Sequence, residues 1–226
     1  MEESKVSLKR IKVSLIINIV IAILTVMASI MMFTGFKIMP DAEVVLEETK
    51  LGMLKFFTVE SNMLMGIVAF FFAIQEIRLL KGKIREISSK MYILKLMATT
   101  AVGLTFFVVF AYLGPISEGG IPSMLTNNNL FFHLLIPVMS MITFTFLEKT
   151  NKLRKRDVLF GLVPTALYEV FYLTNIFIHM ENGKVSPIYD WYWFVQYGVW
   201  TAAIVAPLIL GISYIISLML WKINKK

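Results

Sequence analysis

Thr58, Ser61, Asn62 and Met65 recur at i, i+3, i+4 and i+7, so they share one face of a helix. That face opens an apolar stretch where hydrocarbon-compatible side chains are the rule. A histidine, His133, stands just inside a second apolar stretch. A threonine hydroxyl is a weak nucleophile that needs an adjacent base to take its proton, and imidazole is the commonest such base. The pair therefore has the ingredients of acyl transfer. Ser61 and Asn62, one turn along the same face, are candidate donors to a developing oxyanion. The competing reading is that these groups only bond to neighbouring helices, as small polar residues in membranes often do.

The elements that would position them are membrane spans. Of 226 residues, 58% are hydrophobic, and the mean hydropathy is +0.74, whereas soluble domains run at about 45–50% apolar. Six stretches are long enough to cross a hydrocarbon core of about 30 Å, which takes roughly 20 helical residues. They lie near 13–36, 56–77, 91–113, 130–147, 158–178 and 191–221. The last contains Pro207, which predicts a kink or tilt. The expected fold is a single all-α domain over 1–226, a bundle of six transmembrane helices.

Basic residues segregate strongly. Seventeen of the 22 Lys and Arg precede the first span, follow the sixth, or lie in the loops between spans two and three and spans four and five. This asymmetry predicts cytoplasmic termini and gives those loops an affinity for anionic lipid heads. The net charge of +7 is spread over separate loops with no stacking platform, so it does not point to nucleic acid. The first apolar run is too long for a signal peptide and reads as a retained helix. With no cysteine, disulfides, thiolate metal sites and a cysteine nucleophile are excluded. No P-loop or zinc-protease motif occurs, and no metal or organic cofactor is implied.

At about 1.5 Å of rise per residue, Thr58 and His133 both lie about one turn below the outer boundary. Glu169 falls near the middle of the fifth span, close to Tyr168 and Tyr172. A carboxylate there must be protonated, paired or facing a wet cavity. Tyr172, Asn175 and Gln196 are candidates to line such a cavity. His179, at the end of the fifth span, reads as solvated, which argues against a haem held between it and His133. The outer loop after the first span, with Pro40-Asp41 and Glu43, Glu47 and Glu48 among apolar residues, predicts a short interfacial helix. Trp191, Tyr192 and Trp193 predict an interfacial aromatic anchor.

Three segments carry a resemblance. Leu54-Lys55-Phe56-Phe57-Thr58, then Asn129 with His133 and Ile136-Pro137, then Gly183 with Pro187-Ile188-Tyr189-Asp190 stand in order along the chain. Together they resemble the androgen-induced and androgen-dependent family of integral-membrane threonine hydrolases and related six-span bacterial proteins. The resemblance implies hydrolysis of lipid esters, notably fatty acid esters of hydroxy fatty acids, with Thr58 as nucleophile and His133 as base. It also suggests a bacterial plasma membrane. Ser61-Asn62 departs from the animal members, where an acidic residue follows the threonine, and those members act in another cell type, so substrate identity transfers poorly. Glu169 and Asp190 both stay open as groups that orient His133. The substrate would arrive laterally, its tails between spans rich in phenylalanine (Phe70, Phe71, Phe72, Phe106, Phe107). The rival reading is a non-enzymatic transporter or lipid-binding protein with Glu169 as a midplane site.

Overall fold

A computed structural model describes residues 2–42 and 48–225, with side chains from residue 8 onward. Six helices are long and apolar enough to cross a membrane: α1 Leu8–Thr34, α2 Phe57–Leu80, α3 Ser89–Ile116, α4 Asn127–Leu147, α5 Lys155–Ile178 and α6 Val199–Lys225. The chain is an all-α bundle and an integral membrane protein. An even number of crossings brings both termini to one end, together with the basic loops. The opposite end carries the longer connections, and we call it the aromatic end.

Burial ranks the helices. In α3, 61% of the most apolar window is buried, against 17% in α6. α3 is therefore the central post, touching α2, α4, α5 and α6, while α1 packs along α2. Close approaches rest on small residues. A Cβ on Gly66 of α2 would meet the Thr25 side chain of α1 at 2.6 Å, and one on Gly161 of α5 would collide with Ser217 Oγ of α6. Ser217 also donates to the Val158 carbonyl at 2.8 Å, which fastens α6 to the first turns of α5. The start of α3 is capped by Ser88, whose Oγ accepts from the Met91 N–H.

Besides 3-10 turns at the starts of α5 (Lys155–Leu162) and α6 (Val199–Thr201), three segments among the described residues depart from regular α-helix. Val109–Leu113 in α3, and Phe131–Leu135 and Thr143–Leu147 in α4, are π-helical turns. Such turns are uncommon and concentrate at functional sites. One of them carries His133.

The aromatic end differs from the sequence expectation in two places. The sequence places the start of the sixth span at Trp191, but its helix starts at Val199. Before it, a small hairpin pairs Met180–Glu181 with Lys184–Val185. Its turn residues Asn182 and Gly183 have φ of 51° and 75°, as a two-residue type I′ turn requires. Asp190 then halts the chain. Its carboxylate is 4% exposed and accepts the Phe194 N–H at 2.9 Å, the Val195 N–H at 3.0 Å and the Tyr172 hydroxyl. A buried carboxylate must find such donors, and finding them on residues four and five further on folds the segment inward. Trp191 and Tyr192 are consequently buried, at 7% and 5% exposure, and do not form an interfacial anchor. Trp200 and Tyr197 are the exposed aromatics of this region.

The expected interfacial helix after the first span falls largely on residues 43–47, outside the described residues. Beyond them, Lys50–Lys55 forms a 3-10 turn, and Lys55 pairs with Glu48 at 2.7 Å.

Candidate functional site

The first residues of α2 make the site. Phe56 offers no side-chain cap to this helix. Instead the Phe57 N–H donates to the Tyr192 hydroxyl at 2.9 Å, so a residue 135 positions away occupies the place a cap would take. Thr58, half-buried, follows directly.

Thr58 borders two spaces and is the residue common to their linings. The first is a cleft of about 10 Å³, enough for roughly one water. Met32, Phe56, Val59, Asn129, Phe132 and His133 form the rest of its wall. The second is a cavity of about 60 Å³, bounded by Phe57, Leu104, Tyr168, Glu169, Tyr172 and Tyr192 among others. A groove of about 420 Å³ between α3 and α6 adjoins this cavity, and Val108, Phe194, Val205 and Ile209 line both. The groove faces the bundle exterior, where Trp200, Ile204 and Leu208 are exposed.

His133 is 2% exposed, and its Nδ1 lies 2.7 Å from the Met124 carbonyl. A carbonyl oxygen only accepts, so Nδ1 carries the proton and the lone pair of the neutral ring sits on Nε2. That is the tautomer a general base requires, held by the backbone and not by an acid. Glu169 and Asp190, the two open candidates for orienting His133, are not brought to its cleft. Asp190 is spent on Tyr172 and the loop N–H groups. Glu169 lines the larger cavity, where its buried Oε1 has no hydrogen-bond partner.

The other expected residues divide similarly. The Asn62 amide gives its hydrogens to the Thr58 carbonyl at 2.7 Å and the Phe132 carbonyl at 3.0 Å, tying α2 to the π-turn that holds His133. Its Oδ1 is buried without a partner. Ser61 Oγ lies 3.0 Å from Thr105 Oγ1 and 3.1 Å from the Thr58 carbonyl. Both oxyanion candidates are thus committed to holding helices. Tyr172 lines the cavity, Gln196 lines the adjoining groove, and Asn175 instead donates to the Tyr189 carbonyl at 2.9 Å. Of the phenylalanines expected around a lipid tail, Phe107 lines the groove. Phe70 and Phe71 border a separate groove between α1 and α2, and Phe72 is core. His179 stacks on Tyr189 with ring centroids 3.7 Å apart.

Sequence reasoning missed two things. One is Tyr192, whose aromatic neighbours in sequence suggested an interface residue. The other is a buried ionic cluster at the basic end. Lys95 of α3 is fully buried and pairs with Glu148 at 3.1 Å, just beyond α4. Asn18 of α1 accepts from the Lys95 ammonium and donates to Glu148 at 2.8 Å and Glu76 of α2 at 3.1 Å. Ser14 donates to Glu148 at 3.3 Å. The available signal was Ser14 and Asn18 at i, i+4 in an otherwise apolar helix, with ionisable residues near the basic ends of three others. Among the described residues, no cluster of three or more His, Asp or Glu is arranged to hold a metal.

No protein-family model matches the chain, and neither does any curated protein or solved structure. The class is defined by the fold alone: a six-span helical membrane protein.

Proposed function

We propose that this protein is an integral-membrane lipid ester hydrolase in which Thr58 is the nucleophile and His133 its base. The observation that carries the proposal is that, among the described residues, Thr58 alone borders both the cleft of His133 and the larger cavity. A nucleophile standing between base and substrate is the arrangement the reaction needs. The Thr58 Oγ1 attacks the ester carbonyl carbon, and His133 Nε2 takes the hydroxyl proton. The tetrahedral intermediate collapses, the alkoxy C–O bond breaks, and His133 returns the proton to the departing alcohol. Water then attacks the acyl-threonine by the same route, releasing a fatty acid and restoring Thr58.

The resemblance of the Thr58, His133 and Asp190 segments to membrane threonine hydrolases supports the same reading. So does an apolar groove that reaches the cavity from the side of the bundle, a path suited to a long acyl chain leaving the bilayer. The basic loops favour cytoplasmic termini, which would put the site in the outer leaflet, and the related six-span proteins suggest a bacterial plasma membrane.

A second reading draws on Glu169, whose unpartnered carboxylate oxygen in an apolar cavity also suits a proton-coupled transporter. The deciding experiment is Thr58→Ala in the purified, folded protein. Loss of both labelling by a fluorophosphonate and hydrolysis of a long-chain p-nitrophenyl ester is expected. Hydrolysis at the wild-type rate would sink the threonine mechanism.

A further inference from the structure

The hydrolysis just described needs a donor for the oxyanion, and Asn62 and Ser61 are already committed. Tyr192 is not. Its oxygen accepts the Phe57 N–H at 2.9 Å and lies beside the backbone N–H and hydroxyl of Thr58. Accepting that bond leaves the phenolic proton to be given. In the resting protein the neighbours that can take it are the hydroxyls of Thr58 and Tyr168. Tyr168 is a poorer candidate for the donor role, because its own proton goes to the Lys55 carbonyl at 2.6 Å.

We propose that Tyr192 is a catalytic residue, donating its hydroxyl hydrogen bond to the oxyanion formed when Thr58 attacks the ester. The inference rests on the hydrolase reading and extends it. During attack, the carbonyl π electrons move to the carbonyl oxygen, and the proton of Thr58 goes to His133. Tyr192 keeps its proton throughout and only shares it. Burial pushes its phenol up to about 12, so the group is a donor at neutral pH.

Three features make this a prepared site. The oxygen sits at the N-terminus of a 24-residue helix, where free N–H groups and the helix dipole favour negative charge. The ring is clamped between aromatic neighbours, with centroids 5.5 Å from Phe194, 5.8 Å from Tyr172 and 6.4 Å from Tyr168. The backbone that carries it is fixed by the three hydrogen bonds to Asp190. A donor that need not reorganise as charge develops is what electrostatic catalysis requires.

The test is Tyr192→Phe in the full-length protein in detergent, with a long-chain p-nitrophenyl ester as probe. The variant keeps the ring and loses the hydroxyl. We expect kcat to fall roughly 10²–10³-fold with KM unchanged. If Tyr192 only caps α2, the melting temperature drops while kcat of the folded protein stays at the wild-type value, and the proposal is overturned. Thr58→Ala separates this failure from that of the hydrolase reading. An inactive Thr58→Ala beside a fully active Tyr192→Phe removes Tyr192 alone, whereas an active Thr58→Ala removes both. Should Tyr192→Phe not fold, fluorotyrosines at position 192 retain the hydroxyl and lower its pKa. The alkaline limb of the kcat profile should then move to lower pH as fluorination increases. A limb that does not move overturns the proposal.

Discussion

The bundle buries polar groups at both ends and treats them in opposite ways. At the basic end, Lys95, Glu148, Asn18, Glu76 and Ser14 answer one another across three helices and the end of a fourth, with charge facing charge at 3.1 Å. The cavities around Thr58 do not reach this cluster. At the aromatic end the side chains around Thr58 are mostly uncharged, space is left between them, and atoms such as Glu169 Oε1 and Asn62 Oδ1 lack partners. At the basic end Arg10 Nε and Glu148 Oε2 are also unpartnered, the latter on a carboxylate already engaged through its other oxygen. The lesson is that a buried charge in a membrane protein does not by itself mark the working site. Paired charge holds helices together, and under the hydrolase reading the unsatisfied polarity beside a cavity is where the chemistry has room.

This contrast can be broken most severely at the aromatic end. Under the hydrolase reading, His133→Ala should lower ester hydrolysis roughly 10⁴–10⁶-fold, and the Thr58→Ala/His133→Ala double variant should lose little more than either single one. Steady-state rates on the probe ester check this. Additive losses would mean that the two residues do not act as one unit.

At the basic end the large effect should be on stability. Lys95→Met leaves Glu148 buried without its cation, at a cost of about 3–5 kcal/mol. Adding Glu148→Leu should recover part of the loss, because neither charge is then left alone. Thermal unfolding in detergent measures both, while the rate per folded molecule should hardly change. A catalytic defect in folded Lys95→Met would erase the division between the two ends.

The smallest effect is expected at Glu169. Under the hydrolase reading, Glu169→Gln should change the rate by less than about tenfold, since the carboxylate lies away from His133. A transporter would lose its function with the same substitution, so transport and hydrolysis assays on one variant separate the readings.

Much of the fold was legible because apolar length alone defines six spans. Counting rise per residue also set Thr58 and His133 level, and they line one cleft. What escaped the sequence was contact between distant positions. Lys95 and Glu148 are 53 residues apart, and neither residue type announces the other. The partner of His133 is the Met124 carbonyl, a backbone atom that any residue at that position would supply. Trp191 and Tyr192 were misread because aromatic residues before an apolar run suit an interface equally well. The donors that Asp190 finds on Phe194 and Val195, the bond of the Trp191 indole to the Tyr168 hydroxyl and that of the Phe57 N–H to the Tyr192 hydroxyl hold them inward.

The π-helical turns of α4 have a further consequence, best expressed as phase. Each is a turn one residue wider than α, so side chains beyond it are displaced by roughly 100° in azimuth from where an uninterrupted helix would carry them. α4 contains two such turns, at Phe131–Leu135 and Thr143–Leu147. A helical wheel drawn for this span at constant pitch therefore drifts out of register before it reaches Glu148. The same helix can show its inner face to the Thr58 cleft at one end and to Lys95 at the other because its pitch changes between them. Insertions and deletions in α4 are thus rotations as much as changes of length.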